Sequence, residues 1–265
     1  MKLKVCIAGA TGWVGKPLCL AVAKAEDLSL VGAVARRSEG ANLRDVVDGV
    51  DLDLIISGSV SEALNSPTDV LVDYTRTDAV KANVLAAIRR RVHVVIGTSG
   101  LTEEDFAEID SAARDNGVGV IAAGNFAITA ALLQRFACEA AKYLSHWEMV
   151  DYASDRKVDA PSGTARELAF RLSEIKEPEV AHPVAETVGP KESRGATLGG
   201  SQVHSLRLPG YVIALDVIFG EPDERLTLRY EAGTGAAPYI PTTLLAIRRV
   251  KDYVGLIRGL DKIME

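Results

Sequence analysis

Short apolar runs alternate with amphipathic stretches through the first half of the chain. Leu3–Ala8, Leu28–Val34, Val70–Tyr74, His93–Ile96 and Gly119–Ala123 are brief and rich in Val, Ile and Leu. Between them, Lys16–Ala25, Thr77–Arg90 and Glu103–Asn116 carry helical patterning. Continuous apolar runs separated by helices predict a parallel sheet covered on both faces. Asp48–Ser66 is expected as a strand and loop excursion.

The second half is patterned differently. Ile128–Leu144 and Ser162–Glu174 read as helices, with a strand at Glu148–Tyr152 between them. Pro178–Gly200, rich in Pro, Gly and charge, reads as a loop. Val203–Leu208, Tyr211–Phe219 and Arg225–Tyr230 come next as strands at hairpin-like spacing, and Pro241–Val250 as a last helix. The expected class is α/β: a Rossmann-type doubly wound parallel sheet plus a second α+β domain with an open mixed sheet. The expected divisions are residues 1–126, 127–234 and a C-terminal helical segment, 235–265, returning to the first domain.

Composition narrows the function classes. A chain of 265 residues buries enough core to need no disulfide or metal staple. Lys plus Arg number 30 and Asp plus Glu 36, a net charge of −6. That balance argues against nucleic acid or an anionic membrane as the main partner. Cys6, Cys19 and Cys138 are an odd number without metal-type spacing, which fits a reducing compartment. The four histidines, His93, His146, His182 and His204, are scattered, so no metal site is expected. No apolar run approaches the ~18 residues of a membrane span. The start, Met1-Lys2-Leu3-Lys4-Val5, has no signal-peptide layout. The expectation is a soluble, cytoplasmic globular protein.

Two strings carry candidate chemistry. Gly9-Ala10-Thr11-Gly12-Trp13-Val14-Gly15 joins the first strand to the first helix with GxxGxxG spacing, a relative of the Rossmann fingerprint. Gly9 permits the turn, Gly12 lets backbone N–H groups approach a pyrophosphate, and Gly15 allows close helix–strand packing. Trp13 either covers the cofactor or packs locally. The next strand ends Ala35-Arg36-Arg37-Ser38, where NAD-preferring folds place an acid. Arg36 and Arg37 either recognise a 2′-phosphate or form a solvated pair. The expected cofactor is NADPH, with NADH possible.

The second string is Lys157-Val158-Asp159-Ala160-Pro161-Ser162-Gly163-Thr164-Ala165. Ser162 suits an N-cap, and Gly163 and Thr164 offer donors at a helix start, an anion site. Lys157 is a cation and candidate proton donor. Taken alone, the string also suits a plain capped helix. Asp155 and Asp159 flank Lys157, and either orients it or is a solvated loop acid. Tyr152 is expected on the opposite face of its strand from Ala153, packed in the core.

This second string resembles the K-x-D-A-P-S-G-T-A signature of the dihydrodipicolinate reductase family. Asp73-Tyr74-Thr75, Gly97-Thr98-Ser99-Gly100, Gly124-Asn125-Phe126 and Ser205-Leu206-Arg207-Leu208-Pro209-Gly210 are similar to further family segments, in order along the chain. The resemblance implies an N-terminal Rossmann domain, a central substrate and tetramerisation domain, and reduction of a cyclic imine dicarboxylate with NAD(P)H in lysine and diaminopimelate biosynthesis. It implies that Gly97, Thr98 and Ser99 lie along the nicotinamide side, closed by Ala123, Gly124, Asn125 and Phe126. It implies Lys157 as the proton donor, with Ser162, Gly163 and Thr164 holding a substrate carboxylate.

The chain departs from the family in two respects. Two adjacent histidines normally precede the lysine, and here those positions are Ala153 and Ser154. A further polar position in the C-terminal sheet is Ala214 or Leu215. A positioned general acid contributes about 10²- to 10⁴-fold. Three functions are compatible with this change: the family reaction with Lys157 supplying the proton, reduction of a related imine or carbonyl acid, or a non-catalytic dinucleotide-binding regulator.

Overall fold

The structure is a computed structural model and describes residues 2–264. Met1 and Glu265, at the ends of the expected segments, lie outside the described residues. The chain divides into two compact units, Met1–Ile128 with Ala236–Glu265, and Thr129–Gly235.

The first unit runs β1 (Leu3–Ala8), α1 (Gly15–Lys24), β2 (Leu28–Val34), α2 (Leu43–Val46), α3 (Val60–Ala63), β3 (Val70–Asp73), α4 (Thr77–Arg89), β4 (His93–Ile96), α5 (Glu103–Asn116) and β5 (Gly119–Ala122). The second runs α6 (Ile128–Ala141), β6 (Trp147–Ala153), α7 (Gly163–Ser173), β7 (Ala196–Leu198), β8 (Ser201–Arg207), β9 (Ile213–Glu221) and β10 (Glu224–Ala232). The chain then contributes α8 (Ile240–Arg249) and β11 (Gly255–Arg258) to the first unit.

The first unit's sheet is six-stranded, in the order β11-β5-β4-β3-β1-β2, and every pairing is parallel. β3, β4 and β5 have almost every residue buried, as a sheet covered on both faces requires. Strand order reverses beside β1, between β2 and β3. Ligands of such sheets bind beyond the carboxyl ends of the strands at that point. Strand β11 is an addition to the elements expected from sequence. Gly255 turns into it with φ +89°, and its N–H donates to the Val118 carbonyl at 2.9 Å.

The second unit's sheet has the order β10-β9-β6-β8-β7. The α/β class with a mixed second sheet is the one expected, but the expected run of hairpins is corrected. β8 and β9 do not pair with each other; β6 lies between them, parallel to β8 and antiparallel to β9. Crossing one intervening strand takes about 9.6 Å, which the short segment between β8 and β9 spans, so spacing alone does not distinguish the two arrangements. Only β9 and β10 form a hairpin as expected.

Two loop segments also differ from expectation. Pro178–Gly200 ends in β7, which turns into β8 through Gly199 and Gly200, at φ +52° and +78°. Two positive φ values are what a tight two-residue hairpin needs. The strand expected within Asp48–Ser66 reduces to single bridges at Ile55 and Ser57. Ser59 and Glu62 instead start α3, the hydroxyl of Ser59 accepting from the Glu62 N–H and the Glu62 carboxylate from the Gly58 N–H.

Candidate active site

In the first unit the crevice is built by the turns at the carboxyl ends of the strands. After β1, Gly9 adopts φ +84°, and its N–H and that of Ala10 donate to the Val34 carbonyl. A side chain on Gly9 would collide with the Tyr74 carbonyl, and one on Gly15 with the Gly9 carbonyl. Only glycine lets these backbones meet, which draws the start of α1 tight against β1. The helix begins at Gly15 without a side-chain cap or an acidic residue in its first turn. Thr11, Gly12 and Val14 complete the loop. An uncapped N-terminus at a glycine cradle suits the diphosphate of an extended ligand. Trp13 is about half exposed and stacks edge-on to Tyr239 at 5.4 Å between ring centres.

After β2, Arg36 and Arg37 form a short turn with Ser38. Both are exposed, and neither pairs with a carboxylate among the described residues. After β3 and β4, Asp73 and Thr98 come together. The Thr98 hydroxyl donates to Asp73 Oδ1 at 2.8 Å. Gly97 sits against the Tyr74 ring, and the Tyr74 hydroxyl meets Thr243 Oγ1 at 2.8 Å. Burial holds the Tyr74 phenol above its ordinary range, with the Thr243 bond acting against the shift. The Ser99 carbonyl accepts from the Thr77 hydroxyl at 2.9 Å. After β5, Ala123, Asn125 and Phe126 are buried. Asn125 Oδ1 accepts the Ala127 N–H at 2.8 Å, the Phe126 ring lies 6.0 Å from Tyr74, and the Phe126 carbonyl accepts from Thr242. Gly124 lies between Ala123 and Asn125.

The second unit holds the other cluster. Ser162 is buried and caps α7, its hydroxyl accepting the Ala165 N–H at 3.3 Å. Thr164 is buried just inside the helix. Gly163 opens it. The helix has no acid in its first turn, so its start favours an anion. Lys157 is half-buried, and its Nζ lies 2.8 Å from Asp159 Oδ1. Asp159 Oδ2 lies 3.8 Å from Arg166, whose Nη1 donates to the Pro161 carbonyl at 2.6 Å. Of the acids flanking Lys157, Asp159 touches it. Asp155 is exposed and accepts from the Ser154 hydroxyl at 3.0 Å.

Two residues beneath this cluster have no role that the sequence announces. The buried Asp151 carboxylate accepts the Ser162 N–H at 2.8 Å and Arg207 Nη2 at 2.9 Å. Arg207 Nη2 also donates to the Asp159 carbonyl at 2.6 Å. Arg207 thus ties the cap of α7 to the loop that carries Lys157. It belongs to the family-like segment Ser205–Gly210, but nothing in that string marks a partner on another strand.

Tyr152 corrects one expectation. It does lie on the opposite face from Ala153, but that face is open. Tyr152 is half-buried, donates to Asp216 Oδ2 at 3.0 Å and lies under Arg229, 5.1 Å from ring centre to guanidinium carbon. Ala153, Ala214 and Leu215 are all buried. The buried side of β6 continues through Met149, Asp151 and Ala153, so the alanine at the family's histidine position points into packed interior.

The chain is similar to known proteins over its full length. The family model for the N-terminus of dihydrodipicolinate reductase matches residues 3–126, and that for its C-terminus residues 129–264. A 4-hydroxy-tetrahydrodipicolinate reductase from Desulfitobacterium hafniense is 36% identical over 266 residues, covering 100% of this chain and 99% of that protein. One from Moorella thermoacetica is 35% identical, covering 99% and 98%. The dipicolinate-bound dihydrodipicolinate reductase from Paenisporosarcina sp. TG-14 superposes with a TM-score of 0.77 at 29% identity, covering all of both chains.

Proposed function

Because the chain belongs to the dihydrodipicolinate reductase family, we propose that it reduces 4-hydroxy-tetrahydrodipicolinate, a small cyclic dicarboxylate of lysine and diaminopimelate biosynthesis, with a nicotinamide dinucleotide. The full-length match of both family halves carries this reading. The collision-tight cradle at Gly9 and Gly15, opening on an uncapped helix, supports a dinucleotide there.

When bound, the reduced nicotinamide supplies the hydride. The chain's own residues do the rest. Gly9 to Gly15 hold the diphosphate on backbone N–H groups and the α1 dipole. Arg36 and Arg37 meet the adenosine ribose phosphate, which makes NADPH the preferred form; that neither has a carboxylate partner among the described residues supports this. Ser162, Gly163 and Thr164 hold a substrate carboxylate at the start of α7. Lys157 is the proton donor, and its contact with Asp159 directs it until substrate arrives. The protein works as a cytoplasmic homotetramer. The half-exposed apolar positions Val150, Leu206 and Ile218 on the second sheet support self-association.

The test is oxidation of NADPH and NADH by the purified protein with the pathway substrate. Steady turnover that a Lys157→Met variant loses by about 10²-fold or more is the expected result. Buried Ala153, Ala214 and Leu215 favour a second reading, a related cyclic imine or carbonyl acid as substrate. Turnover with such compounds, and none with the pathway substrate, would establish that instead.

A further inference from the structure

Asp73 is fully buried at the end of β3, and no cation neutralises it among the described residues. A buried carboxylate is costly unless hydrogen bonds satisfy it, and four do so here. Oδ1 accepts the Thr75 N–H at 2.9 Å, the Thr75 hydroxyl at 2.6 Å and the Thr98 hydroxyl at 2.8 Å. Oδ2 accepts Asn83 Nδ2 at 2.8 Å. The two Thr75 bonds are a local turn, such as Asp often makes two residues ahead. The other two are not local. Thr98 belongs to the loop after β4, and Asn83 to α4.

Those bonds join two neighbouring crevice loops to the helix behind them. The Asp73 carbonyl also accepts the Gly97 N–H at 2.9 Å, so both ends of residue 73 hold the second loop. Tyr74 fills the space where a side chain on residue 97 would stand. Residue 73 therefore holds segment 97–99 at Gly97 and Thr98, and the Thr77 hydroxyl holds it at Ser99.

We propose that Asp73 is a positioning residue that sets the shape of segment 97–99 toward the nicotinamide end of the dinucleotide, while leaving the adenosine end untouched. This rests on the reading that Gly97, Thr98 and Ser99 lie along the nicotinamide. Bonds to a charged acceptor are shorter and about twice as strong as neutral ones, so the carboxylate fixes the two loops more firmly than a neutral group does.

The experiment compares binding of a reduced dinucleotide with binding of the matching ADP-ribose, which lacks nicotinamide, by calorimetry on the whole protein. Asp73→Ser is expected to weaken the dinucleotide at least tenfold and to leave ADP-ribose within twofold. Asp73→Asn, which keeps an acceptor oxygen for Thr75 and Thr98, is expected to restore most of the difference. If Asp73→Ser does not fold, Thr75→Val is measured in its place, with the same pattern at smaller size. Equal losses for both ligands, or no loss for either, overturn the proposal. A wild-type protein that binds the two ligands alike overturns the nicotinamide reading of the loop itself, and Asp73 with it.

Discussion

Arg207 Nη2 donates to Asp151 Oδ2 at 2.9 Å, and the two side chains are 17% and 1% exposed. Removing one partner of a buried pair leaves the other charge stranded, at a cost of about 3–5 kcal/mol. Arg207→Met is expected to lower the stability of the second unit by about 3 kcal/mol. Asp151→Asn in the same chain should recover part of that, because the stranded charge is gone. Denaturant unfolding read by fluorescence of Trp147, buried beside Phe219, measures both. A double variant no more stable than Arg207→Met would show that the pair is not what the fold loses.

Arg36 and Arg37 stand exposed after β2 without carboxylate partners among the described residues. Charged hydrogen bonds contribute about 1.5–3 kcal/mol each, a tenfold effect or more. Arg36→Ala is expected to raise KM for NADPH at least tenfold and to change KM for NADH by less than twofold. Steady-state kinetics with both dinucleotides decides it. Parallel changes for the two would remove the phosphate contact.

Much of this is legible in the sequence because it is local. The six-residue run Leu3–Ala8, the glycines at 9 and 15, and Ser162 as the cap of α7 each declare themselves within a few residues. The contacts that shape both clusters are not local. Arg207 meets Asp151 from 56 positions away, and Thr98 meets Asp73 from 25. Neither residue type nor spacing marks such a pair. Strand order is hidden for a related reason: β6 takes β8 on one side and β9 on the other, and a strand's own pattern does not name its neighbours. Gly199-Gly200 is the exception, a local hairpin signal masked by the loop-like composition of the stretch before it.

His93 opens β4 and accepts the Gly119 N–H on Nδ1 at 2.9 Å. An imidazole can accept there only while that nitrogen carries no proton. Burial holds the His93 pKa below its ordinary value, with Asp69 acting against the shift. The unfolded chain therefore binds the proton more readily than the folded one, and stability rises with pH through this window. The contribution is complete above the ordinary histidine value of about 6.5 and is lost as pH falls through the folded value. Thermal melting between about pH 8 and pH 5 should show this slope in the wild type and a flatter one in His93→Asn, which accepts without titrating.

Ala153 and Ser154 occupy the positions where the resemblance implies paired histidines, and their surroundings differ. Ala153 is fully buried on the side of β6 shared with Met149 and Asp151, opposite Ile213 and with the buried Leu215 on the same side. An imidazole there overpacks a filled interior, at about 1–3 kcal/mol. Ser154 is half-buried in the turn before Lys157, where its hydroxyl meets Asp155 and the Arg156 N–H. Ala153→His is therefore expected to lower the unfolding midpoint read by Trp147 without raising kcat, whereas Ser154→His folds like the wild type. With the proposed role of Lys157, proton donation is expected to stay with it in every background, so Lys157→Met should lower kcat by about 10²- to 10⁴-fold in each. The decisive measurement is kcat of the triple variant Ala153→His, Ser154→His, Lys157→Met. Recovery of turnover with normal stability would mean that the interior beside Ala153 has room for the ring and that the proton need not come from Lys157.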